Sequence, residues 1–163
     1  MASIVEKHNK EFDFEEFKQV RARAFGRLFW YLKRYTDSYV EPRLHAMGFT
    51  DFKMSYMMFL SNIEQAGITN NELARRAGVT KQMMSKIVSL LEREGYIYSE
   101  KNPNDSRSSM IFLNDRGKEL LTSLRTCIYE TRAKFDAIVG HDRMEQVIDT
   151  MVDLVAVLQQ EEQ

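Results

Sequence analysis

The sequence predicts a mostly α-helical chain carrying one small β-hairpin. Three observations lead there. Apolar residues recur at helical spacing through both ends of the chain. Two short helices joined at Gly78 occupy the middle. Just beyond them, a stretch rich in β-formers is split by the turn run Asn102-Pro103-Asn104-Asp105-Ser106.

The elements follow in order. From Phe12 to about Thr36, residues Phe14, Phe17, Val20, Ala24, Leu28, Tyr31 and Leu32 keep a helical period. Pro42 is expected to interrupt or kink that helix before Met47-Gly48 ends it, because proline lacks the N–H a helix interior needs. Thr50 is expected to cap a second helix containing Tyr56, Met57, Phe59, Leu60 and Ile63. Thr69 and Glu72 form a T-x-x-E capping box that opens a third, with Leu73, Ala74 and Ala77 as its apolar face. Gly78 breaks it by tolerating positive φ, and Thr80 caps the next. This fourth helix buries Met84, Ile87, Val88 and Leu91, and Gly95 ends it.

Tyr96, Ile97 and Tyr98 then read as a strand, with Met110 to Leu113 as its partner. Asn114 starts a long helix through Leu120, Leu121, Leu124, Ile128 and Phe135, ending near Gly140. A last helix carries Met144, Val147, Ile148, Met151, Leu154, Val155 and Leu158. The order is α-α-α-α-β-β-α-α, a winged helix-turn-helix embedded between longer helices.

The fourth helix leaves Lys81, Gln82, Ser85, Lys86 and Ser89 on its open face, all polar and none acidic. A short helix after a tight glycine turn, cationic at its N-terminal end, suits insertion into a DNA major groove. Arg107 lies just past the hairpin tip, where a guanidinium can enter a narrow minor groove. Arg75 and Arg76 are placed to reach phosphates, or to hold the hairpin by pairing with Asp105. DNA repels Asp105, so its expected task is to tie down the loop of Arg107.

Charge permits this reading without requiring it. The 163-residue chain has a formal net charge of −1, whereas a strongly basic domain is the usual footprint of nucleic-acid binding. Between Thr69 and Lys118, however, nine cationic side chains face six acidic ones. Positive charge is concentrated where contact is expected.

Composition excludes other classes. No apolar run approaches the roughly 18 residues of a membrane span. The N-terminal residues lack a basic start and an apolar core, so no signal peptide and a cytoplasmic location are expected. One cysteine, Cys127, rules out an intrachain disulfide framework. His8, His45 and His141 are scattered; only Glu41 and His45 share an i,i+4 face, so no metal site is expected. Phosphate loops, C-x-x-C pairs and nucleophile elbows are missing from the sequence, which argues against an enzyme and against a bound cofactor.

The run Asp105-Ser106-Arg107-Ser108-Ser109-Met110-Ile111-Phe112-Leu113-Asn114-Asp115-Arg116-Gly117 resembles the D-x-R-x-x-x-v-x-L-T-x-x-G wing signature of MarR-family transcription regulators. Glu72-Leu73-Ala74, Gly78-Val79 and Leu91-Glu92-x-x-Gly95 match the rest of that pattern. Asn114 stands where the family usually has threonine, and both residues cap helices. The resemblance extends over about the whole chain and is consistent with a further short strand near Ile68.

It implies a single MarR-like domain over 1–163: a winged-helix part at 50–117, and a helical dimerisation part at 12–47 and 118–160. It further implies a homodimeric repressor on double-stranded DNA, reading a pseudo-palindromic operator. Exposed apolar stripes on the first and last helices suit such an interface. A small aromatic or amphipathic effector is implied in a cleft that Arg23, Arg27, Tyr31, Tyr56 and Phe59 could line. A peroxide-sensing branch uses a cysteine near its N-terminal helix; Cys127 lies elsewhere and reads as packing. The competing reading is a winged-helix adaptor that binds protein and never DNA.

Overall fold

The computed structural model describes residues 12–105 and 107–161; His8 and Ser106 lie outside them. The chain separates into two compact units, 1–38 and 39–163.

In the first unit, Asp13 caps α1 (Phe14–Ala22) by accepting from the N–H groups of Glu15 and Glu16 at 2.8 and 3.1 Å. α1 closes at Arg23, and α2 (Phe25–Ala46) begins two residues later. The single helix expected from Phe12 to Thr36 is therefore two. The break falls at Arg23 and Ala24, where the Arg23 N–H closes back onto the Val20 carbonyl. Pro42, the expected breaker, lies inside α2. One absent N–H is not enough to stop a helix whose next turn is held by core contacts at Leu44.

The second unit takes up the end of α2, where Val40 and Leu44 are buried. A 3₁₀ turn (Met54–Tyr56) and the short α3 (Met57–Leu60) follow. Thr50 does not cap this helix, contrary to expectation. The Met54 N–H is instead satisfied by Glu41 of α2 at 2.9 Å, so the 3₁₀ turn starts at Met54 and α3 only at Met57, ending at Leu60, before Ile63. Next come β1 (Ile68–Thr69), α4 (Asn70–Arg76), α5 (Lys81–Arg93), β2 (Ile97–Lys101) and β3 (Ser109–Leu113). Two long helices, α6 (Asp115–Val139) and α7 (His141–Glu161), complete the chain.

The three strands form an antiparallel sheet in the order β1-β3-β2. Ile68 pairs with Ile111, and Ile97 with Leu113 through to Lys101 with Ser109. The strand near Ile68 is present, and β2 runs further than Tyr98. Leu73 and Ala74 of α4, and Met84, Val88 and Leu91 of α5, turn into one core with Tyr96, Ile111 and Leu120. The open face of α5 is thereby directed to solvent.

Two contacts lock the hairpin to α6. The Asn114 side chain accepts from the Gly117 N–H at 3.1 Å, the cap expected from sequence. A Cβ on Gly117 would lie 2.1 Å from the Tyr96 carbonyl oxygen, so only glycine admits this approach. Among the described residues, no helix is long and apolar enough to cross a membrane.

Candidate nucleic-acid interface

The turn between α4 and α5 is made as the residues dictate. Gly78 sits at φ +64°, and Thr80 caps α5 by accepting from the Met83 N–H at 3.1 Å. Lys81, Gln82, Ser85 and Lys86 are all exposed on the first two turns of α5. No acid among the described residues lies within ion-pair distance of Lys81, Lys86 or Arg107. Their charge is therefore directed outward.

Wing geometry supports the role expected of Asp105. Its carboxylate accepts the Arg107 N–H at 3.0 Å, and its carbonyl accepts the Ser108 N–H at 3.0 Å. Asn102 closes the loop from the other side, donating its side-chain amide to the Ser108 hydroxyl at 2.9 Å. Arg107 is exposed at the rim of a cleft of about 330 Å³ between α4, α5 and the hairpin. Ser85, Ser89 and Asn70 line the opposite wall. The helix face and the wing arginine are thus brought to one side of the second unit.

Of the two tasks expected of Arg75 and Arg76, pairing with Asp105 is not one the structure shows. Arg75 makes two hydrogen bonds to Glu72, at 2.7 and 2.9 Å, and Arg76 makes one at 2.8 Å and another to Glu64. Residues three and four apart on a helix are neighbours, so Glu72 captures both guanidiniums locally. The same geometry corrects the capping box. Thr69 does accept from the Glu72 N–H at 3.2 Å, but the Glu72 carboxylate is turned to the arginines rather than back to Thr69. The hydrogen bonds from Arg75, then Arg76, pull the Glu72 carboxyl down to about 2.

Some cations counted toward the positive face are not on it. Arg116 is turned onto Asp51, and Lys118 pairs with Asp115 at 3.1 Å. Local positivity rests mainly on Lys81, Lys86 and Arg107.

The proposed ligand residues fall into two groups. Arg23 closes α1, and Arg27 sits 5.0 Å from the Tyr31 ring centroid on α2, both in the first unit. Tyr56 and Phe59 are core residues of the second unit, 6% and 5% exposed. Tyr56 donates to Glu94 at 3.4 Å, a contact to the C-terminal end of α5. Burial leaves these two rings little surface for a ligand.

Other sequence candidates are accounted for by backbone contacts and burial. His45 Nε2 lies 2.8 Å from the Phe52 carbonyl oxygen, and Glu41 caps Met54. Cys127 is fully buried, and burial raises its thiol pKa, which disfavours the reactive thiolate. Sequence reasoning missed Asn70, which donates to Ser85, and the Asp51–Arg116 pair. The Glu72 clamp was legible from its i+3 and i+4 arginines.

Two helices in a glycine-turn arrangement, a three-stranded sheet and a projecting wing define a winged helix-turn-helix protein. The MarR family model matches residues 50–108, from the segment ahead of α3 to the loop between β2 and β3. Over that segment the chain is similar to the MarR family of winged-helix regulators.

Two curated relatives are similar over much of their length. The HTH-type transcriptional regulator BilQ of Clostridioides difficile is 24% identical over 68% of this chain and 73% of its own. The homoprotocatechuate degradative operon repressor of Escherichia coli is 24% identical over 73% and 79%. These relatives are regulators and not enzymes.

Solved structures share the fold. A MarR transcriptional regulator from Methanosarcina mazei Go1 superposes with a TM-score of 0.69 at 20% identity, covering 83% of this chain and 96% of that one. MepR of S. aureus, solved as a DNA complex, gives 0.65 at 19% identity, with 82% and 98% covered. PcaV of Streptomyces coelicolor, solved with its natural ligand, gives 0.62 at 19%, with 83% and 94% covered.

Proposed function

We propose that this chain is a homodimeric repressor that binds a pseudo-palindromic operator in the cytoplasm and responds to a small aromatic or amphipathic effector. One observation carries the reading: the acid-free N-terminal face of α5 and the wing arginine lie on one side of the same unit. Lys81, Gln82, Ser85 and Lys86 would enter the major groove, and Arg107 the adjacent minor groove. Arg75 and Arg76 would meet phosphates, exchanging part of their pairing with Glu72.

Apolar exposure supports dimerisation through the helices outside the winged-helix part. Phe14, Phe17, Leu28 and Phe29 of α1 and α2 are exposed, as are Val147, Leu154, Val155 and Leu158 of α7. An unpartnered chain would keep that surface in water. A two-fold dimer would present two recognition helices about 34 Å apart, one DNA turn. An effector would act by preferring one spacing of the two heads over another. The E. coli relative is a repressor, and PcaV was solved with a ligand, which supports these finer assignments by similarity.

The test is selection from random-sequence DNA, followed by salt titration. An enriched palindrome with half-sites one turn apart and affinity falling steeply with salt supports the reading. Weak binding equal for all sequences supports the adaptor instead. With the operator in hand, a series of aromatic acids should shift operator affinity; no shift across the series overturns the effector assignment.

A further inference from the structure

The Ser85 hydroxyl is committed on two of its three hydrogen-bonding valences. Serine has one proton to donate and two lone pairs to accept with. Ser85 donates to the Lys81 carbonyl oxygen, one helical turn back, at 3.0 Å. It accepts from the Asn70 side-chain amide of α4 at 3.3 Å. The same Asn70 amide nitrogen lies 3.5 Å from the Lys81 carbonyl oxygen. That second contact fixes the amide's orientation. A flipped Asn70 would set its own oxygen against the Lys81 carbonyl, acceptor against acceptor. Ser85 is nevertheless exposed, on the α5 face that carries Lys81, Gln82 and Lys86.

One lone pair therefore remains, and no proton. We infer that Ser85 reads DNA as a hydrogen-bond acceptor only, selecting a base that offers an exocyclic amine, with Asn70 as the residue that sets this polarity. In the major groove adenine offers its N6 amine and cytosine its N4 amine, whereas guanine and thymine offer carbonyl oxygens at the corresponding place. A free serine can pair with either kind, accepting from an amine or donating to a carbonyl oxygen. Held as it is here, Ser85 would have to leave the Lys81 carbonyl before it could serve guanine or thymine. One position in each half-site should accordingly admit adenine or cytosine and disfavour the other two. The inference rests on the proposed reading of α5 in the major groove.

The experiment compares operators selected from random DNA by the full-length protein and by S85A, S85T and N70A. S85A should flatten one position per half-site that the unaltered protein enriches in adenine or cytosine, leaving the rest of the operator recognisable. S85T keeps the hydroxyl and should keep the preference. N70A leaves the Lys81 carbonyl as the only group holding the hydroxyl and should loosen the preference, admitting guanine and thymine at that position. Replacing the adenine there by purine, or the cytosine by 2-pyrimidinone, removes only the amine. This should weaken binding of the unaltered protein by roughly fivefold, the effect of one hydrogen bond, and leave S85A unaffected.

Enrichment of guanine or thymine at the position S85A flattens would overturn the inference, and so would an S85A profile identical to that of the unaltered protein. If the unaltered protein enriches no sequence at all, the major-groove reading itself fails and this one with it.

Discussion

Arg116 holds Asp51 through two hydrogen bonds of 2.7 and 2.9 Å, although the residues are 65 positions apart. The guanidinium also donates to the Glu94 carbonyl and lies 4.5 Å from the Tyr96 ring centroid. Tyr96 donates its hydroxyl to the same Asp51 at 2.7 Å. One carboxylate thus ties the segment ahead of α3, the end of α5 and the start of α6 to a common point.

Substituting Asp51 by asparagine should lower stability by about 1–2 kcal/mol, since the pair is only partly buried and solvent screens it. For a chain of this size that is a melting-temperature loss of roughly 2–8 °C. Arg116, chiefly through its hydrogen bonds, holds the Asp51 carboxyl below its ordinary value of 3.8. A depressed carboxylate stabilises fully above its unfolded pKa and loses that contribution as pH falls through the folded one. The gap between the unaltered protein and Asp51→Asn should be constant near neutrality and shrink only below about pH 3.8. A gap unchanged down to pH 2.5 would contradict this account.

Gly117→Ala places a methyl 2.1 Å from the Tyr96 carbonyl oxygen, against backbone that cannot swing aside. We expect a cost of about 3 kcal/mol in urea denaturation. Less than about 1 kcal/mol would mean the hairpin and α6 can separate cheaply.

Arg107→Ala should weaken operator binding roughly tenfold and reduce the salt slope by about one, leaving the oligomeric state unchanged. A gel-shift titration at several salt concentrations checks this. Equal affinity would take the wing out of DNA recognition.

Glu72→Gln removes the charge that both Arg75 and Arg76 engage. If those guanidiniums meet phosphates, the variant should bind DNA a few-fold more tightly on every sequence, since base contacts are untouched. Fluorescence anisotropy on operator and scrambled duplexes would show it. Weaker binding of both would assign Glu72 to orienting the arginines rather than competing for them.

Leu154→Glu combined with Leu158→Glu puts two charges on exposed apolar positions of α7. Sedimentation should show a halved mass, and operator affinity should fall by about a hundredfold as the second half-site is lost. An unchanged mass would place the interface elsewhere.

Local chemistry alone determined much of this protein. The Thr69 cap of α4, Gly78, Thr80 and Asn114 act within four residues of themselves, so the two short helices, their turn and the start of α6 follow from sequence. The strand residues of the hairpin and the exposed cationic face of α5 follow as well, because side-chain periodicity decides which face meets the core. What the tertiary structure decided depends on partners distant in sequence. Glu41 rather than Thr50 starts the helix before Ile63, and Asp51 takes Arg116 off the positive face. The helix passes Pro42, where a core residue holds its next turn, and breaks at Arg23 instead. Tyr56 and Phe59 share the aromatic character of ligand-binding residues, but the neighbours that bury them come from other segments. Asn70 sets the hydrogen-bonding polarity of Ser85 from 15 residues away. Such pairings form only when the core brings the helices together, and no local pattern encodes them.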